Sequence, residues 1–247
     1  MPKKAATAPT GHARISPSGA DRWMTCPGSV QLCESLGLKG LPPSRFSEFT
    51  CTPEMAEFLR PGVEALLGME GTLHVEVRLD LGQWIPGGFG TSDAVFVTDN
   101  TLIVDDLKYG AGVPVEARHS RQLMIYALGA LHLAPDAQNI VLNIDQPRTG
   151  DGTGSAWTIS RIDLEEFGRT VHAAALAVSA PGAALVPSEK ACRWCPARPS
   201  CGAIAAVAAD ACGFDLAAPA EATLPPAGTL TPEQVANILT ARPLVEA

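Results

Sequence analysis

The chain has 247 residues, of which 46% are hydrophobic and 18% are charged, and its formal net charge is −8. This composition is typical of a globular domain with a real core, and it excludes a general nucleic-acid coat, which would be basic. No apolar run reaches the 18 or so residues of a membrane span, and the N-terminus has no apolar signal segment. We therefore expect a cytoplasmic protein.

The N-terminal part is predicted to be helical after a disordered start over residues 1–15. Residues 16–36 indicate a helix that breaks at Pro27 and Gly28, and a loop follows. Residues 53–68 predict a second helix, interrupted near Pro61 because proline cannot donate a helical hydrogen bond.

The sheet is predicted to begin with an alternating strand over residues 72–84. Its apolar residues, including Leu73, Val75 and Val77, should face the core, and polar residues such as Glu76 should face the other way.

A hairpin is predicted within "GTSDAVFVTDNTLIVDDLKYG", residues 90–110. Asp99 and Asn100 suit a two-residue turn because both tolerate the left-handed conformation. That turn sets Asp93 directly opposite Asp106, with their Cβ atoms about 5 Å apart.

Opposed carboxylates should destabilise a hairpin, unless a cation lies between them. Mg²⁺ takes one or two carboxylates and keeps several waters. Lys108 lies on the same face as Asp106, two residues further on. The pattern therefore indicates either a metal site or a solvated hairpin end with surface acids.

The remaining elements alternate between helix and strand. A helix is predicted within residues 115–133, strands within 139–148 and 154–163, and a helix over 163–179. Beyond residue 213 the chain is rich in Ala and Pro, and Thr231 should cap a short helix.

Three cysteines form a tight C-x2-C-x5-C group, "CRWCPARPSC", at Cys192, Cys195 and Cys201. A cytoplasmic chain rarely uses a disulfide framework, and three thiolates are one short of a four-thiolate site. The fourth ligand must come from elsewhere, and either zinc or an iron–sulfur cluster would suit such a site.

The ordered segments "GTSD", "VDDLKYG" and "RQLMIYALGAL" resemble the core motifs of the RecB-like exonuclease branch of the PD-(D/E)xK nucleases. The cysteine spacing resembles the iron–sulfur nucleases of that branch, which include the AddB-type and CRISPR-associated adaptation nucleases. Together, "SGADRWMTCPGSV", "QPR" and "CRWCPARPSC" most resemble a phage and prophage group of such nucleases. The resemblance covers roughly residues 15–210.

The resemblance implies an α/β fold with a mixed central sheet flanked by helices. The nuclease domain would span residues 16–212, with a small cysteine-bound iron–sulfur cap built from 16–36 and 188–212. Residues 213–247 would form a linker and a short helix.

The resemblance also implies the site residues. Asp93 and Asp106 match the metal ligands, with the main-chain carbonyl of Leu107 completing that side. Lys108 matches the catalytic lysine, which orients or activates water, and Glu76 matches an acidic residue on the preceding strand.

Further residues match the surroundings of the site. Gln122 and Tyr126 match a helix that borders the site and contacts DNA, although simple helix packing would also explain them. The four iron–sulfur ligands would be Cys26, Cys192, Cys195 and Cys201. Cys33 could replace Cys26, whereas Cys51 and Cys212 are expected to be bystanders.

The implied activity is a DNA exonuclease dependent on Mg²⁺ or Mn²⁺, acting on single strands or free ends. Its expected setting is phage recombination, repair or replication in the bacterial cytoplasm, with phage proteins as partners and no membrane. One alternative is a weak or non-catalytic DNA-binding or scaffold protein, favoured by the absence of histidine from residues 37–71, where relatives carry a metal-binding one. An iron–sulfur electron carrier is a third reading, opposed by the complete nuclease motif.

Overall fold

The computed structural model describes residues 13–38, 51–150, 152, 154–212, 228 and 230–246. The chain divides into two compact units. The first consists of Met1–Ala20 and Leu41–Leu176, and the second of Asp21–Gly40 and Ala177–Ala247. Most of the predicted disordered N-terminus, of the loop after the first helix and of the predicted linker lies outside the described residues.

A five-stranded mixed sheet forms the centre of the first unit, and its strands lie side by side in chain order. The third and fourth strands are parallel, and every other neighbouring pair is antiparallel. The strands are β1 (Thr72–Asp80), β2 (Phe89–Val97), β3 (Thr101–Leu107), β4 (Asn139–Asp145) and β5 (Ser155–Ser160). The predicted α/β class with a mixed sheet is confirmed.

The hairpin between β2 and β3 has the predicted register. Val97 pairs with Leu102 and Ala94 with Asp105. The Thr98 amide donates a 2.9 Å hydrogen bond to the Thr101 carbonyl, which closes the two-residue turn. Continuing this register by one residue brings Asp93 opposite Asp106.

The core of the first unit lies on one face of the sheet, under a buried helix. This face consists of residues that are at most 1% exposed: Val95, Leu102, Val104, Ile140, Leu142 and Ile144. Helix α4 (Arg121–Ala130) packs against β1 to β4 and makes the crossover that the parallel pair requires. Its N-cap is Ser120, whose Oγ accepts a 3.4 Å hydrogen bond from the Leu123 amide.

The predicted alternation along β1 is wrong at Val75, whose side chain is 65% exposed. The next residue, Glu76, has φ +49°, in the left-handed region. A left-handed residue rotates the strand out of its regular pleat, so the apolar face is not continuous across this point. Leu79, beyond the irregularity, is fully buried as predicted.

The predicted helix over residues 16–36 is divided into shorter pieces. A 3-10 turn at Pro17–Gly19 leads into α1 (Ala20–Trp23), and α2 (Gly28–Ser35) begins after the predicted break. Helix α3 (Pro53–Leu67) continues through Pro61 without the predicted interruption. Thr52 caps α3 by accepting a 3.2 Å hydrogen bond from the Met55 amide.

The later helices include three that were predicted, α4 (Arg121–Ala130), α5 (Arg161–Ser179) and α8 (Pro232–Glu246). Two further helices in the cysteine-rich segment, α6 (Glu189–Cys192) and α7 (Gly202–Cys212), were not predicted. A capping box begins α8: the Gln234 amide donates to Thr231 Oγ1 at 3.2 Å, and the Thr231 amide donates to Gln234 Oε1 at 2.8 Å. Within the second unit α8 packs on α7, which gives the last helix a neighbour in this unit.

Among the helices that the structure describes, none is both long enough and apolar enough to cross a lipid bilayer.

Candidate active site

The two aspartates of the hairpin and the lysine beyond them meet at the C-terminal end of β3. Asp93 Oδ2 accepts a 2.8 Å hydrogen bond from the Leu107 amide, which fixes the carboxylate beside β3. Lys108 Nζ forms an ion pair with Asp106 Oδ2. Gln122 Nε2 donates a 3.0 Å hydrogen bond to the other oxygen, Asp106 Oδ1. The structure therefore brings Asp93 and Gln122 to the segment that carries Asp106 and Lys108.

The Asp106 carboxylate is buried against charges of both signs. Burial raises its pKa, Lys108 counteracts that rise, and the nearby negative charge of Asp93 adds to it. Both carboxylates therefore repel each other in a poorly solvated place, and a cation between them would relieve this repulsion.

The donor set suits a divalent cation that keeps part of its water shell. Asp106 Oδ2 is buried and accepts no hydrogen bond of good geometry, so its ion pair with Lys108 leaves bonding capacity unused. Across the described residues, no three His, Cys, Asp or Glu side chains converge closely enough to hold a metal. Asp93, Asp106 and the main-chain carbonyl of Leu107 would thus need water to complete the shell, as Mg²⁺ prefers.

Glu76 approaches this group from the edge strand. The register of β1 with β2 pairs His74 with Val95 and Val77 with Ser92, which leaves Glu76 opposite Asp93. Partial desolvation raises the pKa of Glu76, and the charge of Asp93 raises it further. The left-handed backbone at Glu76 costs about 1–2 kcal/mol. Local strain of this kind often marks functional sites.

Gln122 and Tyr126 lie one turn apart on α4 and line the same side of the site. Gln122 Nε2 reaches the Tyr126 hydroxyl at 3.5 Å. Burial raises the pKa of Tyr126 to about 12, so its hydroxyl stays protonated and serves as a neutral hydrogen-bonding group. A side chain at Gly90 would lie 2.8 Å from the Tyr126 ring, so glycine is needed there to admit it.

A second polar group lies on the opposite face of the sheet and was not predicted. Asn143 Nδ2 donates a hydrogen bond to Asp105 Oδ2, and the parallel register pairs these two residues. Burial raises the pKa of Asp105 to about 6, Asn143 opposes that rise, and the charge of Asp145 adds to it. The alternation of Asn143 and Asp145 with buried apolar residues along β4 is the sequence signal that would have revealed this group.

We expect Asp105 to make the metal-free protein more stable as the pH falls. Its pKa rises from 3.8 to about 6 on folding, so the folded state gains stability between those values as the proton binds. Asp105→Asn removes this contribution. Relative to wild type, the variant should therefore gain about 2 kcal/mol of unfolding free energy on going from pH 4.5 to pH 7.5.

Urea unfolding in chelator, followed by circular dichroism at both pH values, measures this difference. The exposed Asp136 supplies the matched control, and Asp136→Asn should follow the wild-type pH dependence. If the unfolding free energies of Asp105→Asn and wild type change equally between the two pH values, Asp105 is not the responsible group.

The predicted cluster cysteines all lie in the second unit. Cys26, Cys33 and Cys192 are buried, whereas Cys195 and Cys201 are partly exposed. Burial raises the pKa of the Cys195 thiol, which also interacts with Cys33.

The surroundings of the two upstream cysteines differ. Cys26 Sγ accepts a 3.2 Å hydrogen bond from the Val186 amide, and Cys33 Sγ lies 3.8 Å from an Arg22 guanidinium nitrogen. No three cysteines of the described residues converge at metal-binding distances, so the four-cysteine site stays a prediction. Cys51 is exposed at the start of α3. The side chain of Cys212 lies outside the described part of the chain.

The solved structures that are similar to this chain include the following two. The crystal structure of SSO0001 aligns at 20% identity and a TM-score of 0.39, covering 76% of this chain and 85% of that one. The crystal structure of LHK-Exo in complex with dAMP aligns at 15% identity and a TM-score of 0.40, covering 67% of this chain and 87% of that one. Both TM-scores lie below 0.5.

One protein family matches nearly the whole chain, over residues 12–40 and 49–247. Its description is "Protein of unknown function (DUF2800)". The matched residues include both upstream cysteines, the hairpin with its aspartates, helix α4 and the C-x2-C-x5-C group. The chain is a member of the DUF2800 family.

Proposed function

We propose that this protein is a metal-dependent deoxyribonuclease with a PD-(D/E)xK-type core. The observation that carries the proposal is the convergence of Asp93, Asp106 and Lys108 at the end of β3, with Gln122 bonded to the same carboxylate. Two carboxylates, a lysine and an amide in one partly buried group are the parts that hydrolysis of a phosphodiester needs.

Each side chain has a distinct task in this proposal. Asp93 and Asp106 hold Mg²⁺ or Mn²⁺ together with the Leu107 carbonyl, and the bound ion lowers the pKa of water and neutralises charge on the phosphate. Gln122 fixes the orientation of the Asp106 carboxylate through its 3.0 Å hydrogen bond. Lys108, whose side chain is 32% exposed, can meet the attacking water or a phosphate oxygen without leaving Asp106.

The acidity of the chain agrees with a need for cations in DNA binding. A net charge of −8 repels a polyanion, so the protein depends on a few local cations to bring a phosphate to the site. We propose an exonuclease that acts on single strands or free ends, in phage recombination, repair or replication in the host cytoplasm. Phage recombination or replication proteins are its proposed partners.

The proposal also includes a 4Fe–4S cluster, or Zn²⁺, held by the cysteines of the second unit. Its ligands would be Cys26 or Cys33 with Cys192, Cys195 and Cys201. The cluster would connect chain segments that are far apart in sequence, and it would take no part in hydrolysis.

A catalytically weak or inactive protein that binds DNA is the second candidate. Helix α3, which precedes the first strand, contains no histidine that could add a metal ligand. Such a protein would keep the fold and bind DNA without cutting it. Cleavage measurements therefore separate the two candidates.

We expect cleavage to depend fully on a divalent cation. Chelator-treated protein should not degrade end-labelled single-stranded or double-stranded DNA, and added Mg²⁺ or Mn²⁺ should restore the activity. The rate with Mn²⁺ should be higher, because a site with few side-chain ligands suits the less demanding ion. Denaturing gels resolve the products, and stepwise shortening from one end identifies an exonuclease.

Protein with Asp93→Asn, purified in parallel, serves as the control for contaminating nucleases, since it should stay inactive with either metal. Undiminished cleavage in excess chelator would contradict the metal dependence. Tight DNA binding without cleavage under any metal condition would favour the second candidate.

A further inference from the structure

A cluster of two aromatic rings and an arginine includes Tyr109, the residue that follows Lys108 of the proposed site. The rings of Phe58 and Tyr109 meet edge to face, with centroids 6.4 Å apart and an interplanar angle of 76°. The Arg148 guanidinium carbon lies 4.9 Å from the Tyr109 ring centroid and 5.8 Å from that of Phe58. We name Phe58, Tyr109 and Arg148 the aromatic platform.

The aromatic platform is accessible from solvent. Phe58 is 38% exposed, Arg148 is exposed and Tyr109 is half-buried. Core packing normally hides aromatic rings of this size, because each buries a large apolar area. A partly exposed aromatic pair with a cation over its rings is a combination that proteins use to hold single-stranded nucleic acid.

The position of Tyr109 is set by its neighbour in sequence. Tyr109 follows Lys108 directly, and adjacent Cα atoms are about 3.8 Å apart. A strand whose phosphate lies at Lys108 can place a neighbouring base within reach of the aromatic platform. The base can stack on the part of the rings that Arg148 leaves open, while the Arg148 guanidinium, which lies over the rings, supplies a positive charge for the adjacent phosphate.

The segment that carries Tyr109 is held in place by the end of β4. The Lys108 amide donates a 2.8 Å hydrogen bond to the Asp145 carbonyl. Gln146 is buried, and its Oε1 accepts a 2.9 Å hydrogen bond from the Val115 amide. Its Nε2 donates to the Val113 carbonyl at 3.2 Å.

A further contact fixes this segment, because Thr149 Oγ1 donates to the Gly110 carbonyl at 3.3 Å. The "QPR" motif at residues 146–148 thus has two tasks: Gln146 orders the segment after Lys108, and Arg148 completes the aromatic platform. Because the rings are ordered before a ligand arrives, binding costs little conformational entropy.

We propose that the aromatic platform binds an unpaired nucleobase next to the scissile phosphate, which makes single-stranded DNA, or a frayed single-stranded end, the bound form. A base inside a duplex is stacked on its neighbours and cannot reach the rings without unpairing. This inference rests on the proposed function for the location of the phosphate, but base binding is measured separately from cleavage.

The test compares the binding of two labelled oligonucleotides of equal length, one of thymidines and one of abasic residues. Fluorescence anisotropy is measured with Ca²⁺ in place of Mg²⁺, and gels confirm that the oligonucleotides stay intact. Wild type should prefer the thymidine oligonucleotide. Tyr109→Ala should weaken binding to it about 5- to 100-fold and leave binding to the abasic oligonucleotide unchanged.

Two further variants distinguish stacking from a loss of structure. Tyr109→Phe retains the ring and should bind both oligonucleotides as wild type does. Arg148→Gln should weaken binding to both and reduce the salt dependence of log Kd by about one unit. Unfolding temperatures of all three variants are compared with wild type.

The proposal would be overturned if Tyr109→Ala lost equal affinity for both oligonucleotides, or lost none for either. It would also be overturned if wild type bound the thymidine and abasic oligonucleotides equally well. Should the predicted binding pattern appear without DNA cleavage in Mn²⁺, the aromatic platform stands and the nuclease proposal fails. If the protein cleaves DNA but its DNA binding does not depend on Tyr109, the nuclease proposal stands and the aromatic platform fails.

Discussion

Asp106→Ala and Lys108→Ala should each reduce DNA cleavage at least about 10³-fold while the protein remains folded. Asp106 joins three functional contacts, because it faces Asp93, accepts the Gln122 hydrogen bond and pairs with Lys108. Removing its carboxylate leaves the metal with a single aspartate. Removing Lys108 leaves the metal ligands in place but deletes the positive charge beside them, so the two variants should differ in metal binding.

Steady-state cleavage of end-labelled DNA at saturating Mn²⁺ measures these effects, with circular dichroism as the check on folding. Asp136 and Lys190 are exposed residues outside the proposed site, and they supply the control variants. Asp136→Ala removes an acid and Lys190→Ala removes a lysine, and both variants should cut DNA at the wild-type rate. Wild-type cleavage by either Asp106→Ala or Lys108→Ala would show that the reaction takes place at another site.

Cys195→Ser should cause a large loss of stability, as should the loss of any other ligand of the proposed four-cysteine site. If the proposed four-cysteine site forms, it closes a chain segment of more than half the protein, and a cross-link of that length stabilises by about 4–5 kcal/mol. Iron and acid-labile sulfide in anaerobically purified protein, together with thermal unfolding, measure the cluster and its effect. Cleavage per folded molecule should change little, since the cluster has no part in hydrolysis.

Cys51→Ser is the matched control, because this thiol is exposed and its loss should leave both cluster and unfolding temperature unchanged. Cys26→Ser and Cys33→Ser identify the fourth ligand, since only one of them should match the loss seen in Cys195→Ser. Stoichiometric zinc without iron or sulfide would reject the iron–sulfur cluster but keep the four-cysteine site. Full stability in Cys195→Ser would reject both.

The geometry of the hairpin could be predicted because it depends on local chemistry. Asp99 and Asn100 favour a two-residue turn, and a two-residue turn fixes the register of every pair that follows. The position of Asp93 opposite Asp106 is a consequence of that register. The existence of helix α4 was predictable for a similar reason, since its apolar spacing is a local signal, although the helix begins at Arg121 and not near residue 115.

The irregular β1 could not be predicted from its alternating sequence. Glu76 has a left-handed backbone, and regular alternation gives no sign of it. The continuity of α3 through Pro61 could not be predicted either, because a proline inside a helical pattern is a local signal for a break. Predicting the pairing of Asp105 with Asn143 would have required the order of the strands in the sheet. The hydrophobic pattern alone does not define that order.

The most direct test is to measure bound Mn²⁺ and hydrolysed DNA in the same sample as Mn²⁺ is titrated into chelator-treated protein. Electron paramagnetic resonance reports free Mn²⁺, and release of an end label reports hydrolysis. The proposal predicts that hydrolysis rises in parallel with occupancy of a site that Asp106→Ala abolishes. Hydrolysis before any Mn²⁺ is bound, or a saturated site in wild type that releases no label, would contradict it.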